Sequence, residues 1–294
     1  MAVEKQPTTP LRAYLEYFSD LGVYDFFRNE DPGPWQAAAE LTLAPQPSQP
    51  PAQPRPIPEI QTTQPTAIKP AAAPQSISPE PDIPRPTPFN DLLPLPTASI
   101  PAAARAAALK ALQDEIGDCT RCPLAYAGRR NIVFADGDPN ARLMFIGEGP
   151  GADEDTQGLP FVGKSGQLLN NMIAAMGLQR EQVYIANIVK CRPPANRAPE
   201  PVEANTCTPF LARQIDIVQP EFIVALGATA ATYLLGVRQS LSSLRGRFHP
   251  VRGAKALVTY HPAFLLRDPR QKVEAWKDLQ IVMAAMGLKA KPGA

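Results

Sequence analysis

The sequence has no apolar run long enough to cross a membrane. Its longest runs, such as residues 222–226, fall far short of the ~20 residues that a spanning helix needs. The first residues form no apolar segment, which argues against a secretory signal. We therefore expect a cytoplasmic protein, in which the four cysteines do not form structural disulfides because the compartment keeps thiols reduced.

Proline is sparse in most of the chain and abundant only in its first third. Of 36 prolines, 22 lie in residues 1–101 and 14 in the rest. This distribution excludes two domains of equal size, a repeat solenoid and a collagen-like chain, and it indicates one globular domain behind a Pro-rich arm. The net charge is −5 for residues 1–104 and +6 for residues 105–294. A basic body is compatible with a polyanionic partner, although many soluble enzymes share it.

The arm contains one short helical pattern. Leu11, Leu15, Phe18 and Leu21 recur at helical spacing, so residues 1–30 are predicted to hold a short helix. That helix either docks on the main domain or binds in a groove of a partner, such as a repair or replication protein. Residues 31–101 have too few large apolar residues for a core and are predicted to be a disordered linker. The folded domain is then residues 102–294.

Strands and helices alternate after residue 101, which predicts an α/β fold with a parallel sheet covered on both faces. In such sheets, functional loops lie past the carboxyl ends of the strands, and each predicted strand is followed by an unusual loop. The strands are predicted at residues 142–147, 183–189, 222–227 and 256–260. The helices are predicted at residues 102–116, 165–176, 201–218, 229–235 and 271–286.

The cysteines form one widely spaced pattern. Cys119 and Cys122 are a C-x2-C pair, Cys191 follows after 68 residues, and Cys207 follows after another 15. A redox pair should open a helix after a strand, and this pair instead follows a predicted helix. Four thiolates suit zinc or an iron–sulfur cluster. The wide second half of the pattern disfavours a structural zinc site, so we favour one four-iron four-sulfur cluster, with zinc as the alternative.

Several motifs together carry a family resemblance. They are the cysteine spacing, Gly147-Glu-Gly-Pro-Gly-Ala-Asp-Glu-Asp, Pro160-Phe-Val-Gly-Lys-Ser-Gly-Gln, Asn187-Ile-Val-Lys-Cys-Arg-Pro-Pro, and His261-Pro-Ala-Phe-Leu-Leu-Arg. Over about residues 110–288 the chain resembles the family 4, iron–sulfur uracil-DNA glycosylases. The resemblance implies a three-layer α/β/α fold with a four-stranded parallel sheet. It also implies a monomeric repair enzyme near the nucleoid that hydrolyses the N-glycosidic bond of deoxyuridine in single- or double-stranded DNA.

The resemblance assigns chemistry to three residues around a pocket, into which the uridine must be flipped to be reached. Glu148 is the first candidate for holding the water, since Gly149 stands where the best-known branch of the superfamily has an Asp. Glu154 is the second candidate, and it could also crowd carbon 5 and exclude the methyl group of thymine. His261 would stabilise negative charge on the leaving uracil, whereas His249 is expected to be structural.

Three residues are implied to bind the base, and Gly149 is one of them because a glycine lets the backbone approach closely. Phe161 would stack on the base, and Asn187 would read its edge with one donor and one acceptor. DNA contacts are implied for one apolar wedge, Leu265 or Leu266, with one of the two expected in the core. Phosphate contacts are expected from the basic residues that flank these loops, which are Lys164, Lys190, Arg192, Arg197 and Arg267.

Two alternatives keep the fold and remove turnover. A related branch binds uracil-DNA covalently and carries a basic insertion ending in His after its second strand. Residues 190–201 here are compact and contain no His. In the other alternative, the cluster and the basic loops only hold nucleic acid while the arm recruits a partner. Release of free uracil separates the enzyme from both.

Overall fold

The computed structural model describes residues 89–289. The helix predicted in residues 1–30 and the predicted linker up to residue 88 lie outside the described residues. The strands are β1 (Asp136–Gly137), β2 (Leu143–Gly147), β3 (Tyr184–Asn187), β4 (Phe222–Leu226), β5 (Phe248–Val251) and β6 (Ala254–Thr259). The α-helices are α1 (Phe89–Leu92), α2 (Ala102–Ile116), α3 (Ala152–Gln157), α4 (Lys164–Ala175), α5 (Pro201–Val218), α6 (Gly227–Leu235), α7 (Leu241–Leu244), α8 (Pro262–Arg267) and α9 (Lys272–Met286).

The strands form one sheet in the order β1-β3-β2-β4-β6-β5. The inner four strands pair in parallel, which confirms the predicted parallel sheet. The two edge strands pair antiparallel and were not predicted. β1 has only two residues, and β5 reads Phe-His-Pro-Val, so neither carries the long apolar run that marks a buried parallel strand.

Helices cover both faces of the sheet, as the three-layer prediction required. Met144 and Ile146 of β2 point to the face covered by α2, α5 and α6, while Leu143 and Phe145 point to the face covered by α4 and α9. All five residues of β2 are buried, which explains why its sequence is continuously apolar rather than alternating. Among the described residues, no helix combines the length and the apolar character needed to cross a membrane.

The predicted boundary of the domain at residue 102 is wrong. Phe89 is fully buried, and α1 therefore belongs to the core. The guanidinium of Arg252 donates to the backbone carbonyls of Phe89, Leu93 and Pro94 and pairs with Asp216. The Pro-rich composition gave no sign that this segment is folded, because only one aromatic side chain and three backbone carbonyls attach it to the rest of the domain.

Candidate active site

Three loops at the carboxyl ends of parallel strands meet around one cleft of about 410 Å³. Residues 148–151 follow β2, residues 193–197 follow β3, and residues 261–267 follow β6, and all three segments contribute to the walls. The cleft is large enough for a small ring-shaped ligand, within the ~300–1,000 Å³ range of protein ligand sites. The predicted convergence is therefore confirmed for these three loops, whereas residues 228–229, after β4, are not among the residues that line the cleft.

Asn187 ends β3 at the floor of this cleft. It is 2% exposed, and its Oδ1 is the one buried side-chain N or O atom without a hydrogen-bond partner in residues 89–289. A buried amide oxygen left unpaired costs ~1–3 kcal/mol. A ligand that donates a hydrogen to Asn187 would remove this cost, so the cleft is built to receive a polar edge.

The ring of Phe161 lies beside Asn187. Phe161 is 5% exposed, and its ring centroid lies 5.6 Å from that of His261. A Cβ on Gly147 would lie 2.5 Å from Asn187 Oδ1 and 2.5 Å from Phe161 Cζ. Glycine at the end of β2 therefore lets an aromatic plane and a carboxamide share one wall of the cleft.

His261 precedes α8 and caps it. Its Nδ1 accepts the backbone N–H of Ala263 at 3.1 Å, so the neutral ring carries its proton on Nε2. Burial lowers the pKa of His261 to about 4, and the positive charge of Arg267 contributes to the same shift. At neutral pH the ring is thus an uncharged donor at the edge of the cleft.

The two candidate carboxylates have different surroundings. Glu148 lines the cleft, and its Oε2 accepts the hydroxyl of Thr229 at the start of α6. Glu154 uses both oxygens on the backbone: Oε2 accepts Gly151 N–H at 3.0 Å, and Oε1 accepts Val162 and Gly163 N–H at 3.0 and 3.3 Å. Glu154 also lines the cleft, but both of its oxygens accept backbone N–H groups, which disfavours its predicted role in the chemistry.

Gly149 lines the cleft as predicted. A Cβ at this position would lie 2.7 Å from Cγ2 of Val189, so a side chain would displace the strand end that carries the next loop. The glycine keeps the backbone of residues 148–151 close to the cleft, where a carboxylate in the same turn can face a ligand.

The two leucines of α8 divide as expected. Leu266 is 43% exposed, and Leu265 is 1% exposed and packed in the core. Leu265 is therefore excluded as a DNA contact because it cannot reach one without unfolding α8. Arg267 lies next to Leu266 and lines the cleft.

The other basic candidates differ in availability. Lys164 is exposed. Arg192 donates to Asn196, and Arg197 forms two hydrogen bonds with the carboxylate of Glu203 at 2.7 and 2.8 Å. The positive charge of Arg197 is thus partly neutralised within the protein, which weakens the case for a phosphate contact.

Lys190 is not a phosphate contact, which corrects the prediction. It is 1% exposed, and its Nζ donates to the carbonyl oxygen of Asn187 and to Gln214 Oε1. Burial lowers its pKa to about 8, opposed by the neighbouring Cys207 and Cys191. Its role is to hold the strand end that presents Asn187.

The four cysteines line one small cavity on the α5 side of the sheet. No set of three or more Cys, His, Asp or Glu in residues 89–289 is arranged to hold a single metal ion. Arg129 Nη1 lies 3.2 Å from Cys191 Sγ, and Arg121 Nη1 lies 3.3 Å from Cys119 Sγ. Burial raises the pKa of Cys207 to about 12. The cavity therefore gathers four thiols with cations around them, as a large anionic group would need.

Two residues that organise the cleft were given no role from the sequence. Arg180 donates to the backbone carbonyls of Pro160 and Phe161 from the turn before β3. Thr229 fixes Glu148 from the start of α6. Arg180 stands in no recognisable motif. Thr229 lies in the loop that follows the third predicted strand, but only the tertiary fold shows that it contacts Glu148.

The chain is similar to known proteins over most of the described region. The model of the Uracil DNA glycosylase superfamily matches residues 134–280. The type-4 uracil-DNA glycosylase of Thermotoga maritima is 44% identical over 164 residues, which span 54% of this chain and 84% of the relative. That of Saccharolobus solfataricus is 41% identical over 190 residues, 62% of this chain and 88% of the relative. That of Pyrobaculum aerophilum is 42% identical over 179 residues, 58% and 91% respectively.

Proposed function

The chain belongs to the Uracil DNA glycosylase superfamily, in its type-4 branch, and from this premise we propose how its cleft performs the reaction. The protein hydrolyses the N-glycosidic bond of deoxyuridine in DNA, which releases uracil and leaves an abasic site for repair. The buried bond is reached by flipping the nucleotide out of the stack. The unpaired amide oxygen of Asn187 beside the ring of Phe161 is the observation that carries our assignment of the base pocket.

Asn187 reads the edge of the flipped base. Its Oδ1 accepts the N3–H of uracil, and its amide group donates to the O4 oxygen. Cytosine presents an acceptor at N3 and an amino group at position 4, so both contacts become repulsive or unpaired. Phe161 supplies a plane on which any base can stack, so it contributes affinity and little identity.

His261 stabilises the departing base. When the glycosidic bond breaks, its electron pair moves to N1 of uracil and negative charge spreads to the O2 oxygen. The neutral imidazole donates its Nε2–H to that oxygen, because Nδ1 is already occupied by Ala263 N–H. A preorganised donor in a site shielded from water is a strong form of transition-state stabilisation.

Glu148 positions the attacking water. Its Oε2 is held by Thr229, which leaves Oε1 to accept a hydrogen from the water. The water oxygen bonds to C1′ of the sugar as the bond to N1 breaks, and its proton passes to Glu148. Because Gly149 and Gly151 have no side chains, they leave space beside the backbone on this side of the cleft.

DNA contacts lie on α8 and at the start of α4. Leu266 fills the gap left by the flipped nucleotide. Arg267, which lines the cleft, and Lys164, which precedes the cleft residue Ser165, bind phosphates. Phosphate contacts hold the strand without reading its sequence, and we propose both single- and double-stranded DNA as substrates.

We further propose that Cys119, Cys122, Cys191 and Cys207 hold a four-iron four-sulfur cluster. The donor set is four soft thiols that line one cavity, and four thiolates suit an iron–sulfur cluster, with zinc as the alternative. When bound, the cluster cross-links the segment after α2, the loop after β3 and α5. No step of the hydrolysis passes through it.

The test of the reaction is the fate of the base. Uracil-containing single-stranded and duplex DNA are incubated with substoichiometric protein, and free uracil is measured by chromatography while a denaturing gel detects covalent protein–DNA. We expect many equivalents of free uracil per protein and no adduct. A stable adduct would instead support the covalent branch, and binding without release would support a nucleic-acid-binding module.

A further inference from the structure

The backbone of Phe161 has an unusual conformation for an aromatic residue. Its φ is 53°, in the left-handed region that residues other than Gly, Asn and Asp rarely adopt. The conformation directs the ring into the cleft, where it is 5% exposed and 5.6 Å from the ring of His261. Such a conformation persists only when neighbouring groups hold it.

Arg180 holds the carbonyl side of this turn. Its Nη1 donates to Phe161 O at 3.1 Å, and its Nη2 donates to Pro160 O at 2.6 Å. The guanidinium is itself fixed by Asp136 of β1 at 2.8 Å and by Asn170 of α4 at 2.9 Å. Its planar fork therefore links the edge of the sheet, α4 and the Phe161 turn.

Glu154 holds the amide side of the same turn. Its Oε1 accepts the N–H groups of Val162 and Gly163. In the peptide bond between residues 161 and 162, the carbonyl oxygen thus accepts from the guanidinium of Arg180 and the N–H donates to the carboxylate of Glu154. A Cβ on Gly166 would lie 1.9 Å from Phe161 O, so the turn also rests directly on α4.

We propose that Arg180 and Glu154 are positioning residues that fix the Phe161 ring as the stacking platform for uracil. The proposal rests on the stacking role given to Phe161 above. Both residues act through the backbone of the turn, to which their hydrogen bonds run. Removing either lets the turn relax toward an ordinary conformation, and the ring then leaves the plane on which the base stacks.

A double-mutant cycle separates this role from a general structural one. Arg180→Met, Phe161→Ala and the double variant are compared in the full-length protein by the inhibition constant of free uracil, by KM and kcat, and by melting temperature. Loss of one base-stacking platform should weaken binding by about tenfold or more. We expect Arg180→Met to raise the inhibition constant and KM by about this factor, and to add less than about twofold in the Phe161→Ala background.

Matched variants control for folding and charge. Arg142→Met removes an exposed two-point ion pair with Glu221 away from the cleft, and it should leave the inhibition constant unchanged. Arg180→Lys keeps one donor and should recover part of the affinity. If Arg180→Met does not fold, Arg180→Lys and Asp136→Asn replace it in the same double-mutant cycle, because each weakens the contact between residue 180 and the turn less than Arg180→Met does.

Four results would overturn the proposal. Unchanged uracil affinity in Arg180→Met, or an equal loss in the Phe161→Ala background, shows that Arg180 does not act through the ring. An equal loss in Arg142→Met shows a nonspecific effect of charge. If Phe161→Ala itself binds uracil normally, the stacking role fails first and the positioning role falls with it.

Discussion

Asn187→Asp should make the excision of uracil depend on the protonation state of residue 187, and therefore on pH. The side chain keeps its size, and the change replaces the amide donor with a carboxyl group at a position that is 2% exposed. Burial disfavours the ionised form, so the pKa of the new carboxyl should lie above its ordinary value. The protonated form can still donate to O4 and accept N3–H, whereas the ionised form only accepts.

The size of the effect follows from the hydrogen bond that the ionised carboxylate cannot make. O4 of uracil then has no donor and faces negative charge, which costs at least the ~1–3 kcal/mol of an unpaired buried group. This corresponds to a loss of about 5- to 150-fold in kcat/KM. As the pH falls through the raised pKa, uracil excision by the variant should recover. Cytosine should be accepted weakly by the ionised form, because its amino group can donate to a carboxylate.

Single-turnover excision from matched uracil, cytosine and thymine substrates between about pH 5 and 9 measures both effects, and the wild type provides the reference pH profile. Phe161→Ala is the matched control, since losing the stacking plane should lower all rates without changing base preference. Full uracil activity and unchanged selectivity in Asn187→Asp across this range would show that Asn187 is a structural strand end and that the pocket assignment is wrong.

Three further predictions concern other parts of the molecule. Protonation of His261 should not affect activity down to about pH 5, and activity should fall as the pH drops through about 4. The reason is that protonation of Nδ1 breaks its hydrogen bond with Ala263 N–H. A His261-dependent step near pH 6.5 in the pH–rate profile would contradict this. Protein purified without oxygen should absorb near about 400 nm and contain ~4 iron per chain, and Cys191→Ala should lose both iron and thermal stability; stoichiometric zinc without iron would reject the cluster. A truncated protein that starts at residue 89 should retain uracil release and its melting temperature. One that starts at residue 102 should lose ~3–5 kcal/mol of stability, since it lacks the buried Phe89. Equal denaturant midpoints for the two truncated proteins would contradict this.

The parallel sheet and its loops were predictable because they follow local patterns. β2 and β4 are continuously apolar, which is typical of strands buried on both faces, and the helices between the strands have clear periodicity. Asn187 was predictable as a site residue because a polar amide at the end of an apolar strand needs a partner. The cysteine spacing likewise marked a shared site, although it did not define the ligand.

Other features depend on contacts between distant segments, which no local pattern reveals. Glu154 resembled a loop acid with a chemical role, and only the approach of residues 162 and 163 shows that it binds backbone amides. Lys190 resembled a phosphate ligand because it flanks one of the functional loops, yet it is buried against Gln214. Phe89 was assigned to a linker because the surrounding composition is Pro-rich, and its burial depends on Arg252, far along the chain.

A crystal structure of the protein with free uracil bound tests the base pocket most directly. We expect one uracil in the cleft, stacked on Phe161, with its N3–H on Asn187 Oδ1 and its O4 oxygen on the Asn187 amide group. Its O2 oxygen should lie near Nε2 of His261. Uracil bound outside this cleft, or bound within it with Asn187 facing away from the base, would contradict the assignment of the site.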